Sequence, residues 1–151
     1  MVVFQVISIM LAALVMGVFW GPWVGLTSSI ASFDPAAFLA IVGRLSRNLG
    51  PVMTVLMPAA LLSMVPVLIL AYRGRPATFA LTLAALGCFA VALLVTVVTE
   101  VPIVKQIESW TPATLPAGWE RLRDRWASFH LVRVAAGIAS LTLLVLGATA
   151  R

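Results

Sequence analysis

The chain is short of almost everything that soluble catalysis uses. Its 151 residues include one cysteine, one histidine and one tyrosine. A single cysteine, Cys88, excludes an internal disulfide and a multi-cysteine metal site. A single histidine, His130, excludes paired-histidine metal motifs, and no HxxH or ExxH spacing is present. No P-loop, GxGxxG or GxSxG occurs, which removes the common nucleotide and serine-hydrolase signatures. Charge is scarce as well: Asp, Glu, Lys and Arg make up 10%, against about 25% in soluble domains. No segment repeats and none is of low complexity.

Apolar residues are what the chain has in plenty, at 62% against about 45–50% in soluble domains. That composition reads as an integral membrane protein. The net charge is +5. The arginines flank apolar runs, so membrane orientation and lipid headgroups explain them, and nucleic acid is not expected as a partner. The expected fold is all-α, a four-helix membrane bundle with short amphipathic connecting helices. It forms one domain over 1–151, with spans at about 2–27, 51–72, 77–99 and 128–149.

Along the chain, the first run has no basic n-region and no cleavage site, so it reads as a retained helix. Ala13, Gly17, Gly21 and Gly25 recur every four residues, a spacing that lets helices approach closely, inside the bundle or between two copies. Pro22 is expected to kink this helix, and Trp20 and Trp23 suit the headgroup belt. Gln5 is a lone polar group suited to a hydrogen bond with a neighbouring helix. Ser32 or Asp34 can cap a helix that has Pro35 in its first turn. The pattern over 35–48 predicts a short amphipathic helix, ended by Gly50 and Pro51. Arg73 to Pro76 is a tight antiparallel return. Cys88 reads as a small packing residue. Glu100-Val-Pro102 is expected to end the third span. The last helix, from about Ala117 to Thr149, spans about 50 Å at 1.5 Å per residue. It therefore outruns a bilayer core of about 30 Å. The long connections carry Arg44, Arg47, Lys105, Arg121, Arg123 and Arg125, against Arg73, Arg75 and Arg151 on the other side. That count places the long connections in the cytoplasm.

The densest polar cluster is WERLRDRWASFHLVR, Trp119 to Arg133. At about 100° per residue, Trp119, Arg123, Trp126, His130 and Arg133 share a wedge of roughly 80°. Gly137 and Ser140 continue it into apolar sequence. Lipid cannot satisfy such a stripe, so protein or water must cover it. A histidine and an arginine one turn apart suit proton abstraction and oxyanion stabilisation, so His130 and Arg133 are the candidate catalytic residues. Trp119 and Trp126 offer flat faces to a planar ligand. Two other readings stay open. His130 and Arg133 could tie loop carbonyls and Glu100 or Glu108 into the bundle, and the tryptophans could form an aromatic belt. Glu100, Glu108, Glu120, Asp124 and His130 supply donors but no metal-binding spacing, so no metal is expected. Haem would need His130 or a methionine as its axial ligand.

The stretch VPIVKQIESWTP…PAGWERLRDRWASFHLVRVAAGIASLTLLVL, together with NLGPVM at 48–53, resembles the DUF1772 or anthrone oxygenase-like family of small four-helix membrane proteins. The likeness is most specific at Pro102, Trp119, Arg123, Asp124, Trp126, His130 and Arg133. It departs at Val104, where the family usually has asparagine. The resemblance implies oxidation of anthrones to anthraquinones by molecular oxygen without a cofactor. The candidate substrate-binding residues are Trp119, Arg123, Trp126, Trp110 and Asn48. The expectation is thus a cofactor-independent oxygenase of an anthrone-like or quinol-like lipophile in a bacterial inner membrane. Its partners would be that substrate and membrane lipid, with a homo-oligomer possible through the small-residue seam. The alternative is a non-catalytic membrane subunit or scaffold that binds a lipid or protein through the Trp119–Arg133 stripe. No broken-helix pair or inverted repeat supports a transporter.

Overall fold

Long helices follow from long apolar runs, and the computed structural model contains them over the residues it describes, 1–27 and 29–150. Arg151, counted above for orientation, lies outside these. Helix α1 covers Val2–Pro22, and a π-helical turn, Trp23–Thr27, extends it. A 3₁₀ turn at Ile30–Ser32 leads to α2, Pro35–Ala71. Helix α3, Pro76–Val95, passes through a second π-helical turn, Thr96–Glu100, into α4, Val101–Glu108. Helix α5 covers Glu120–Thr149. Four of these helical stretches are long and apolar enough to cross a membrane. The protein is a multi-pass membrane protein, and no strand occurs among the described residues.

The helices form a ring in which α1 packs on α2 and α5, and α3 packs on α2 and α5. Close approach of α1 to α5 relies on Gly137. A Cβ there would lie 2.8 Å from Met16 Sδ and 3.4 Å from Phe19 Cδ2. Buried polar side chains pin the helices together inside the bundle. Ser8 Oγ donates to the Ser63 carbonyl at 2.8 Å, and Ser140 Oγ donates to the Ala85 carbonyl at 2.8 Å. Gln5 donates to the Gly147 carbonyl. Such bonds stabilise membrane bundles by about 0.6 kcal/mol each, up to about 1–2. The outer faces carry bare valines, leucines and isoleucines, including Val55, Leu62 and Ile69. Lipid is the solvent that suits them.

Three elements differ from the sequence reading. Residues 35–48 are the first four turns of α2, not a separate helix, and the helix continues through Gly50 and Pro51. Pro51 does remove one backbone donor. Gly50, Pro51 and Arg47 one turn back are all exposed, so the Arg47 carbonyl that the proline leaves without a donor is not sealed inside the bundle. Asp34 provides the cap, accepting from the Ala37 N–H at 2.8 Å. At the third span, Pro102 does not stop the helix either. The π-helical turn before it adds a residue to the turn and takes up the crowding a proline ring creates. Helix α5 begins at Glu120, three residues later than the sequence suggests. Gly118 before it adopts φ +79°, a conformation that favours glycine.

The packed interior has two parts. The larger unites Val15, Phe19, Met57, Met64, Phe89 and Leu144 in the membrane-spanning region. The smaller unites Ile30, Phe38, Val42, Ile107, Trp119 and Trp126 around the long connections. Between them lies a cavity.

Candidate functional site

The cavity has a volume of about 540 Å³, within the range of small-molecule sites, roughly 300–1,000 Å³. Its walls are apolar, with Phe19 from α1, Val42, Met53 and Met57 from α2, and Leu93 from α3. One end is polar. There Glu100, Trp126, His130 and Arg133 converge, with Lys105 and Glu108 further along the lining.

Helix α5 supplies three of the four polar residues through the 3- and 4-residue spacing of Trp126, His130 and Arg133. His130 is buried, and its Nε2 lies 2.9 Å from the Phe19 carbonyl of α1. Its Nδ1 lies 2.9 Å from Arg133 Nη2. A guanidinium can only donate, so Nδ1 accepts and Nε2 carries the hydrogen given to Phe19. Both ring nitrogens are therefore engaged. The imidazole stacks on Trp126 at 5.7 Å between centroids and an interplanar angle of 20°. Arg133 lies over the Phe19 ring at 4.6 Å and donates to Thr96 Oγ1 at 3.4 Å. Its Nη1 is 3.7 Å from Glu100 Oε2.

Glu100 reaches the cavity from the last position of the π-helical turn. It is buried, and its Oε1 has no hydrogen-bond partner. The Trp126 indole N–H neighbours this carboxyl but falls short of hydrogen-bond geometry. Arg133 Nε is likewise buried without a partner. Burying an ion pair brings little net stability, and leaving its lone pairs unmet costs more. Ionisable groups held in a membrane helix at that cost usually serve function.

The structure divides the predicted site residues. Trp126, His130 and Arg133 meet in the cavity. Trp119 and Arg123 do not reach it. Arg123 bonds Asp124 at 2.9 Å and lies 5.4 Å over the Trp119 ring, which packs on Phe38. Trp110 and Trp119 border a separate hollow of about 250 Å³ with Arg121 and Arg125. Asn48 is exposed and lines neither space. Glu100 was absent from the predicted set, although a lone acid inside LLVTVVTEVPIV is a signal that could have found it. Among the described residues, no three of His, Cys, Asp and Glu are grouped to hold a metal.

No curated protein and no solved structure matches the chain. The family model for anthrone oxygenase matches residues 44–143, a stretch that holds Glu100, Trp126, His130, Arg133 and most of the cavity lining. The chain belongs to the anthrone oxygenase family, and its function is oxygenase-like in kind.

Proposed function

We propose that the protein is a membrane-embedded, cofactor-independent oxygenase of a lipophilic polycyclic, anthrone-like or quinol-like substrate, working in the cell membrane. One observation carries this reading: an apolar cavity ends in a half-buried arginine backed by a buried histidine. Apolar walls suit a polycyclic ring system, and Trp126 adds an aromatic face. Arg133 lines the cavity with its Nε unpartnered and would donate to a substrate carbonyl oxygen. An anthrone is acidic at its methylene carbon because the enolate spreads its charge onto that oxygen. Arg133 would stabilise that developing charge in a largely apolar pocket. The enolate is electron-rich enough to react with dioxygen directly. One O₂ is consumed, one of its oxygen atoms becomes the new quinone carbonyl, and the other leaves as water with the two methylene hydrogens.

The scaffold alternative fits an exposed flat stripe better than a cavity. Only the Trp119–Arg123 part of the stripe lies away from the cavity, and it is tied up internally by Asp124 and Phe38. The test is oxidation of emodin anthrone by purified protein in detergent, followed by quinone absorbance and oxygen uptake and corrected for the spontaneous reaction. Acceleration that Arg133→Leu abolishes supports the reading. If neither anthrones nor hydroquinones are oxidised faster than in buffer, the scaffold takes its place.

A further inference from the structure

An oxygenase of this kind needs a proton acceptor, and the geometry points away from the only histidine. Nε2 of His130 is spent on the Phe19 carbonyl and Nδ1 on Arg133. Neither nitrogen has a free lone pair to offer a substrate. Glu100 has what His130 lacks. It lines the cavity, it is 3% exposed, and Oε1 is unpartnered while Oε2 faces Arg133. Glu108 lines the same cavity but is exposed to the outside and has no part in the buried cluster.

Backbone irregularity places Glu100 there. Thr96–Glu100 is a π-helical turn, a form rare in helices and frequent at functional sites. In α3 it re-aims the residues that follow by inserting one position. Thr96, which opens the turn, bonds Arg133, and Glu100, which closes it, faces Arg133. The turn therefore brings two groups onto one guanidinium.

We propose that Glu100 is the general base of this site, taking the acidic proton from a substrate whose carbonyl oxygen is held by Arg133. His130 then acts as a positioning residue that holds Arg133 through Nδ1. The inference rests on the oxygenase reading. The carboxylate takes a proton from the methylene carbon, the C–H electron pair passes into the enolate, and Glu100 becomes a neutral acid. Dioxygen accepts electrons from the enolate and bonds to that carbon. The resulting peroxide anion recovers the proton from Glu100. Loss of water then removes the second methylene hydrogen, breaks the O–O bond and leaves the new carbonyl. The sum is anthrone plus O₂ giving quinone plus water, with Glu100 returned to its starting state.

The test separates deprotonation from oxidation. Wild-type protein with emodin anthrone in D₂O, without oxygen, should exchange the methylene hydrogens faster than buffer does. Glu100→Gln should bind the anthrone, melt near the wild type, and lose both exchange and oxidation by about 10²–10⁴-fold, the usual contribution of a general base. Should Glu100→Gln fail to fold, Glu100→Asp decides. It keeps the charge beside Arg133 but withdraws it by one methylene, and should slow exchange about 10²-fold. Exchange and oxidation at wild-type rates in a folded Gln variant, or in the Asp variant, overturn the assignment of Glu100 alone. A wild type that neither exchanges nor oxidises the anthrone overturns the oxygenase reading and this inference with it.

Discussion

Gly137 is where the fold and the site are coupled most tightly. Replacing it with alanine puts a methyl 2.8 Å from Met16 Sδ and 3.4 Å from the Phe19 ring. Ordinary contact between such atoms is about 3.5–4.0 Å. Met16 must therefore yield by close to an ångström, and Phe19 by a few tenths. Met16 is flexible and can rotate away, but it is buried against the core and has little room to enter. Overpacking of this kind costs about 1–3 kcal/mol. Alanine also gains about 1 kcal/mol of helix propensity over glycine, so a single melt understates the clash. Gly87 supplies the control, being mid-helix in α3 with nothing within 4 Å of its Cβ position. Propensity cancels between Gly137→Ala and Gly87→Ala, and the difference between them should be about 1–3 kcal/mol. Unfolding in mixed detergent micelles, followed by circular dichroism, measures both. Met16→Ala in the Gly137→Ala background should recover part of the loss. The Phe19 carbonyl anchors His130, so Gly137→Ala should also slow anthrone oxidation. Equal stability of the two alanine variants would refute the close α1–α5 packing.

Three further outcomes are expected. His130→Ala should stay folded in detergent while oxidation falls about 10²-fold or more, and His130→Gln, which can both accept from Arg133 and donate to Phe19, should restore part of it. An inert Gln variant at full stability would show that basicity at this position is needed. Ala13, Gly17, Gly21 and Gly25 are exposed along the first helical stretch, and a Cβ added at any of the three glycines would meet no neighbour within 4 Å. We therefore propose pairing of two copies there, and Gly17→Leu with Gly21→Leu should reduce the oligomer size seen by light scattering without lowering the melt. A topology reporter at Gly74 and another at the C-terminus should report the same side of the membrane, and opposite sides would sink the four-span arrangement.

The four spans were legible because bilayer thickness forces long apolar runs, and no packing detail is needed to see them. The Trp126–His130–Arg133 set was legible for a related reason. Helical spacing alone puts residues 126, 130 and 133 on one face, and the structure buries Trp126 and His130 with Gly137 and Ser140 on that face. Spacing could not show where a stripe changes neighbours. Trp119 and Arg123 lie on the same wedge but meet Phe38 and Asp124 instead of the cavity, because α5 runs past the spanning core into the smaller cluster. Proline misled at both Pro51 and Pro102, and Gly50 at the first of them. Their local preference to end helices was overridden, at Pro51 where the carbonyl left without a donor is on an exposed residue, Arg47, and at Pro102 by a π-helical turn. The second of these hid Glu100, which a helix ending at that point would have left in a connection.

Part of the cavity lining comes from outward-facing residues: Gly50, Thr54 and Pro58 of α2, Val97 in the π-helical turn and Val101 of α4. They lie on two helical stretches long and apolar enough to cross a membrane. On the proposed reading, a substrate arrives sideways, from among the acyl chains. Its concentration in solution then ceases to be the variable that governs rate. What governs it is the mole fraction of substrate in the surrounding lipid or micelle. Adding empty detergent should slow turnover by surface dilution, even with every substrate molecule still in the tube. Dioxygen, itself apolar, would reach the site from the same phase. On that reading the bilayer is both the support of the protein and the reservoir of its two reactants.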